Sequence, residues 1–252
     1  MFLHPTLDKL KALKLDGMLA ALSDQAGLAE CDSLTFEERL GLLVDRELSL
    51  RENKKLALRL AKASLRQQVA IEDLDLRTPR KLDRTQVIAL SSCEWVGRHE
   101  NCIVTGSTGV GKSFFCCALA QKACREGFDV LYRRTPRLFG ELALARADGS
   151  YGRKLYAMSR CDLLVFDDFG VAPFDEPARR DLLEILDDRY GRKSTLVAAQ
   201  VPVEQWHEVI GDPTLADAIL DRLVHNAHKV QMQGESMRKL RGGLTSEPAS
   251  QP

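Results

Sequence analysis

Two hundred and fifty-two residues suffice for one large domain, or for a core domain with a small appendage. The 36 basic and 36 acidic side chains cancel, which excludes attraction of the whole molecule to nucleic acid and leaves any grip on a phosphate backbone to a local patch. No apolar run is long enough to span a membrane, and the opening MFLHPTLDKLKALK has neither the core nor the cleavage site of a signal peptide, so a cytoplasmic location is expected.

Residues 1–70 read as a small all-helical domain. Leu7, Leu10, Leu13, Met18 and Leu22 recur near helical spacing. A further helix starts at Thr35, where Thr35-Phe36-Glu37-Glu38 matches a capping box. Phe36, Leu40, Leu43, Leu48, Leu56, Leu60 and Ala63 continue its apolar stripe, and neither Pro nor Gly interrupts the run between Gly41 and Pro79. This predicts one long helix or two abutting ones.

The same helix carries a basic stripe: Arg51, Lys55, Arg59, Lys62 and Arg66 lie four, four, three and four residues apart, with Lys54 beside them. At helical rise the stripe runs about 22 Å. A charged run is usually a solvated face balanced by acids at i±4, yet between 51 and 70 the only acid is Glu52. Unbalanced charge on one face is the footprint of a phosphate-backbone contact. No aromatic side chain interleaves it, so double-stranded DNA is favoured over base stacking on single strands.

Residues 71–100 read as a connector with one short helix. From 101 to 243, short apolar runs alternate with amphipathic stretches: Cys102–Val104, Val130–Tyr132, Leu163–Phe166 and Thr195–Ala198 as buried strands, SFFCCALAQKACREG and EPARRDLLEILDDRYG as helices. Strands alternating with helices give an α/β fold with a central parallel sheet covered on both faces. The seven cysteines form no CxxC pair and sit mostly in apolar stretches, where a reduced thiol behaves as a small hydrophobe. His207, His225 and His228 lack metal-like partners and are expected on helix surfaces. The tail, 244–252, has no apolar anchor and reads as disordered.

Gly106-Ser107-Thr108-Gly109-Val110-Gly111-Lys112-Ser113 is a full GxxxxGKS phosphate loop between a predicted strand and a predicted helix. The glycines let backbone amides turn toward phosphate, and the helix start adds its positive dipole end. Lys112 supplies a point charge to the β/γ oxygens of ATP, and the Ser113 hydroxyl is a Mg²⁺ ligand. Downstream, VFDDFG at 165–170 contains the Asp-Phe-Gly spelling of protein kinases. A kinase also needs a G-x-G-x-x-G loop and an H-R-D loop, which are absent, so LLVFDD reads as a Walker B strand. Asp167 then holds Mg²⁺. Asp168 follows where related ATPases usually place a glutamate that polarises the attacking water, and it is the candidate general base. STLVAAQ is a strand ending at Gln200. In the P-loop ATPase fold that these motifs resemble, the strand between Walker A and Walker B ends beside the γ-phosphate, which is where the resemblance would place Gln200.

The phosphate loop, LLVFDDFG, the leucine-rich TLDKLKALKLDGMLAAL and DPTLADAILDRLVHNAHKVQMQGESMRK together resemble the IstB-like ATPases, over roughly residues 5–241. These are helpers of insertion-sequence transposition within the AAA+ class, related to DnaC-type helicase loaders. The resemblance implies an AAA+ three-layer core with little or no C-terminal lid, ATP hydrolysis, a transposase partner and a homo-oligomer formed with ATP. It also implies that Arg222 is an arginine finger reaching a neighbouring subunit's γ-phosphate, and that Arg238 is a second-sensor arginine. Two residues depart from the usual pattern: Gln200 stands where Asn, Ser or Thr is common, and Asp168 replaces Glu. Three other readings share this nucleotide site: a helicase loader, a small-molecule kinase and a nucleotide-gated binding module.

Overall fold

The computed structural model describes residues 5–28, 31, 33–76 and 81–237. The chain divides into two compact units, 1–58 and 59–252. The first holds α1 (Pro5–Ala12), α2 (Asp16–Gln25) and most of α3 (Phe36–Ala63), a single helix of 28 residues. Both arms of the capping box form at its start. The Thr35 amide donates to Glu38 Oε2 at 2.8 Å, and the Glu38 amide donates to Thr35 Oγ1 at 3.3 Å. At the other end Ser64 takes φ 54°, a left-handed conformation that stops the helix.

The second unit is built on a five-stranded sheet in the order β2-β3-β4-β1-β5, parallel throughout. The strands are β1 (Asn101–Gly106), β2 (Val130–Arg134), β3 (Leu163–Phe169), β4 (Ser194–Ala199) and β5 (Ala227–Met232). The first four match the apolar runs of the sequence. The fifth was not expected. It is an edge strand that buries only Val230 and Met232 fully, so its signal is alternation rather than an apolar block.

Side chains alternate across the sheet. Ile103, Leu131, Leu164, Phe166 and Val197 join one core with α7 (Thr135–Ala147), α8 (Tyr151–Arg160), α9 (Glu176–Arg189), α10 (Trp206–Ile210) and α11 (Pro213–Val224). Cys102, Val104, Val130, Leu163, Val165, Leu196 and Ala198 are the alternate, equally buried positions, on the face covered by α6 (Lys112–Arg125). Aspartates cap three of the helices. Asp83, Asp175 and Asp212 accept from the amides of Thr85, Ala178 and Leu215 at 2.9–3.0 Å; such a cap is worth about 1 kcal/mol.

The expected connector is more structured than one short helix. It holds a 3-10 turn (Ile71–Asp73), α4 (Arg84–Ser91) and α5 (Glu94–Gly97), and it is part of the second unit. Val87, Leu90, Trp95 and Val96 are buried, and the Ser194 hydroxyl at the start of β4 donates to the Val96 carbonyl at 3.3 Å. All seven cysteines are free and buried; burial pushes the Cys102 thiol up to about 12 and Cys93 up to about 11. Among the described residues no helix is long and apolar enough to cross a membrane. After β5 the described residues end at Met237.

Candidate functional site

Strand β1 delivers the chain to Gly106, and α6 opens at Lys112, so the phosphate loop spans the turn between them. Three of its glycines take positive φ: Gly106 (152°), Gly109 (87°) and Gly111 (105°). A Cβ on Gly106 would lie 2.2 Å from the Met232 carbonyl oxygen, and one on Gly109 would lie 2.2 Å from Ser236 Oγ. Only glycine fits either place. Val110 is buried and anchors the loop. The Lys112 ammonium donates to the carbonyls of Gly106 at 2.7 Å and Ser107 at 2.9 Å. Burial pulls its pKa below the usual lysine value, opposed by the charge of Asp167. Thr108 Oγ1 donates to Gln200 Oε1 at 2.8 Å. Because β4 lies between β1 and β3, its C-terminal end brings Gln200 to the phosphate loop.

Asp167 is almost fully buried on β3. Its Oδ1 accepts from Ser113 Oγ at 3.0 Å and from the Asp168 amide at 2.9 Å, while its Oδ2 accepts from the Tyr132 hydroxyl. Burial raises the Tyr132 phenol's pKa, and the Asp167 carboxylate raises it further, so the hydroxyl stays a donor. A serine hydroxyl and a carboxylate in contact are the two oxygen donors that a phosphate-bound Mg²⁺ takes from such a site. The residues present fit that ion.

The strand pairing of β3 with β4 is irregular between Phe166 and Phe169, and Asp168 in that bulge takes φ 57°. The Asp168 Oδ2 accepts from Arg134 Nε at 2.9 Å and pairs with its Nη2 at 2.8 Å. Phe169 is a core side chain, tilted on Trp206 with ring centroids 4.6 Å apart, so the Asp-Phe-Gly spelling serves packing. Arg66 Nη1 lies 3.6 Å from both Asp167 Oδ2 and Asp168 Oδ2. Thr108, Lys112, Arg134, Asp168, Gln200 and Arg66 all line one cavity of about 670 Å³, in the usual range for a small-molecule site.

Tyr132 and Arg134 join the site without having been expected from the sequence. Their signal was present. In Val130-Leu131-Tyr132-Arg133-Arg134, positions 132 and 134 share one face at the end of a buried strand, and Arg134 is in register with Asp167.

Arg222 lies away from this cavity. Its carbonyl accepts from the Asn101 side chain at 2.9 Å, at the start of β1, whereas the phosphate loop follows the strand's other end. Its guanidinium pairs with Asp187 on α9 and donates to the Ala218 carbonyl. Asp187, and not the helix neighbours Asp217 or Asp221, is the acid beside it. Arg238 is outside the described residues, although Met237 donates its amide to the Gly109 carbonyl at 3.0 Å.

The basic stripe is less bare than its sequence neighbourhood suggests. Arg51 pairs with Glu47 at 2.6 Å, Lys54 with Asp16 at 3.1 Å and Lys62 with Asp129 at 2.7 Å. Among the described residues Lys55 and Arg59 enter no ion pair. Arg66 departs from the expected helix face, because α3 ends at Ala63. His207 is on α10 beside Asp217, and His225 closes α11. His228 corrects the helix-surface expectation: it stands on β5, 2.7 Å from Glu100.

Comparison with known proteins agrees with this geometry. A model of the family described as IstB-like ATP binding protein matches residues 8–243. A Sinorhizobium fredii protein named as an insertion sequence ATP-binding protein is 52% identical, covering 95% of this chain and 98% of its own. A Mycobacterium tuberculosis protein named as an ATP-binding protein in an insertion sequence is 31% identical over 94% of this chain and 95% of its own. Among solved structures the crystal structure of DnaI superposes with a TM-score of 0.57 at 20% identity, covering 66% of this chain and 91% of that one. That likeness shows a shared fold, the AAA+ three-layer core. With the match running through both units, phosphate loop and Walker B strand included, the chain belongs to the IstB-like ATP-binding protein family.

Proposed function

We propose that the protein is an ATP-hydrolysing, DNA-binding helper of a transposase, which assembles with ATP on duplex DNA and regulates transposition and the choice of target. The observation that carries the reading is the meeting of Ser113 and Asp167 beneath the phosphate loop, with Asp168 next in the chain. The names of the relatives supply the insertion-sequence context.

Ser113 and Asp167 would hold Mg²⁺, which would supply positive charge against the phosphates of ATP. Lys112 exchanges the carbonyls of Gly106 and Ser107 for phosphate oxygens, and Gln200, released from Thr108, contacts the γ-phosphate. Asp168 takes a proton from the attacking water once Arg134 lets its carboxylate go. Arg222 acts across a subunit interface. Support for this comes from its place at the start of β1, about 17 Å of strand from the phosphate loop. Along α3, Lys55 and Arg59 meet phosphate directly. Lys54 and Lys62 sit in exposed ion pairs worth about 0–1 kcal/mol, which a phosphate readily replaces, whereas Arg51 is paired with the nearly buried Glu47.

The test is ATPase rate with and without DNA. Duplex DNA should stimulate wild-type protein more than single strands do, and Lys112→Ala should lose ATP binding and stimulation together. Stimulation by single strands alone would favour a helicase loader. Undiminished ATP affinity in Lys112→Ala would remove the nucleotide site as the explanation.

A further inference from the structure

We propose that Arg66, which sequence spacing assigns to the DNA stripe, is a nucleotide-sensing arginine acting within its own subunit. This rests on the ATP-site reading above and adds a γ-phosphate ligand to it.

Three observations separate Arg66 from the stripe. Helix α3 stops at Ala63, so Arg66 does not share the face of Arg59 and Lys62. Glu72 in the following turn pairs with Arg125 of α6 at 2.9 Å, and the 3-10 turn Ile71–Asp73 packs against α6. The segment is thereby fixed against the helix that starts at Lys112. The Arg66 guanidinium lines the same cavity as Lys112 and Thr108, and lies 3.6 Å from both Walker B carboxylates.

Arg66 is held beside Oδ2 of Asp167, and the Ser113 hydroxyl meets Oδ1 of the same carboxylate, so a cation bound there and the guanidinium would repel each other. The carboxylate of Asp167 and the hydroxyl of Ser113 would be the Mg²⁺ donors, so ion entry would place a divalent charge next to Arg66. The guanidinium has to leave Asp167, and in this cavity the new negative charge is the terminal phosphate of ATP. A planar fork of donors suits that phosphate. Asp168 is not left unpaired by the exchange, because Arg134 holds it separately. ADP offers no γ-phosphate and releases nothing of comparable charge to Arg66. The residue therefore distinguishes ATP from ADP.

The experiment compares wild type with Arg66→Ala. Affinities are measured for a fluorescent non-hydrolysable ATP analogue and the matching ADP analogue, each with Mg²⁺. Duplex affinity is measured against salt in parallel. The preference for the ATP analogue should fall about tenfold or more, the size expected for losing a hydrogen bond to a charged group. The slope of log DNA affinity against log salt should stay at its wild-type value, whereas Arg59→Ala should flatten it by about 0.9 for each DNA phosphate left without its cation. An ATP/ADP preference within twofold of wild type overturns the proposal, whatever the slope does. If Arg66→Ala melts well below wild type, Arg66→Gln takes the same measurements with the same criteria. Failure of the underlying reading looks different: wild type itself would bind neither analogue, or Lys112→Ala would bind both normally.

Discussion

Asp168 sits at φ 57°, in the left-handed region that costs a residue with a side chain about 1–3 kcal/mol. Its carboxylate is engaged by Arg134 while its amide props Asp167. The bulge thus uses one residue twice, through its backbone to orient the Asp167 carboxylate and through its side chain to engage Arg134. Asn tolerates the left-handed region and keeps an acceptor for Arg134. Asp168→Asn should therefore fold normally and bind ATP as before, yet hydrolyse it about 10²–10⁴ more slowly, as for loss of a general base. Single-turnover kinetics beside equilibrium ATP binding checks this, and hydrolysis at the wild-type rate would leave Asp168 only its structural part.

Helix against helix, the N-terminal unit depends on one close approach. Glu47 of α3 is nearly buried and accepts from the amides of Gly17 at 2.7 Å and Met18 at 3.2 Å, satisfying the open end of α2. A Cβ on Gly17 would lie 2.6 Å from Glu47 Cα, so backbone would meet side chain with nothing soft between them. Gly17→Ala should force the helices apart, weaken both hydrogen bonds and destabilise this unit by about 2–4 kcal/mol. Hydrogen exchange on the full-length protein reads it out. Amides of α2 and the first half of α3 should exchange faster, with β1 to β5 unchanged. In the second unit Arg189 plays the comparable joining part. Its buried guanidinium donates to the Cys161 carbonyl at 2.9 Å and Thr195 Oγ1 at 3.2 Å, tying the starts of β3 and β4 together.

At the scale of the molecule, the sheet separates two sets of arginines. Arg66 and Arg134 meet the cavity at the C-terminal ends of the strands, while Arg222 is at the start of β1. Arg222→Ala should therefore leave ATP binding by a single subunit intact and cripple hydrolysis that depends on assembly. Mixing Arg222→Ala protein with Lys112→Ala protein should recover part of the ATPase rate, because some interfaces then pair an intact Lys112 site with an intact Arg222. No recovery, with both variants folded and able to join an oligomer, would assign Arg222 to its Asp187 pair alone.

What the sequence by itself determined is what obeys rules acting over a few residues. The phosphate loop announces its glycines, lysine and serine at fixed spacing, the box at Thr35 and Glu38 starts α3, and apolar blocks mark four strands. Family likeness extended this to the AAA+ core. Tertiary structure alone decided where the charges go. Glu47 lies just ahead of the acid-poor stretch that carries the stripe, and Asp16 and Asp129 arrive from remote segments. Arg134 faces Asp168 only because β2 pairs with β3, and Arg66 reaches both carboxylates only because its segment is fixed on α6. The edge strand β5 was hidden for a related reason: it buries only Val230 and Met232 fully, and two buried positions are too few to mark a strand until β1 stands beside it. Helix starts and phosphate loops are encoded by contiguous backbone geometry, whereas an ion pair is encoded by which strands and helices become neighbours.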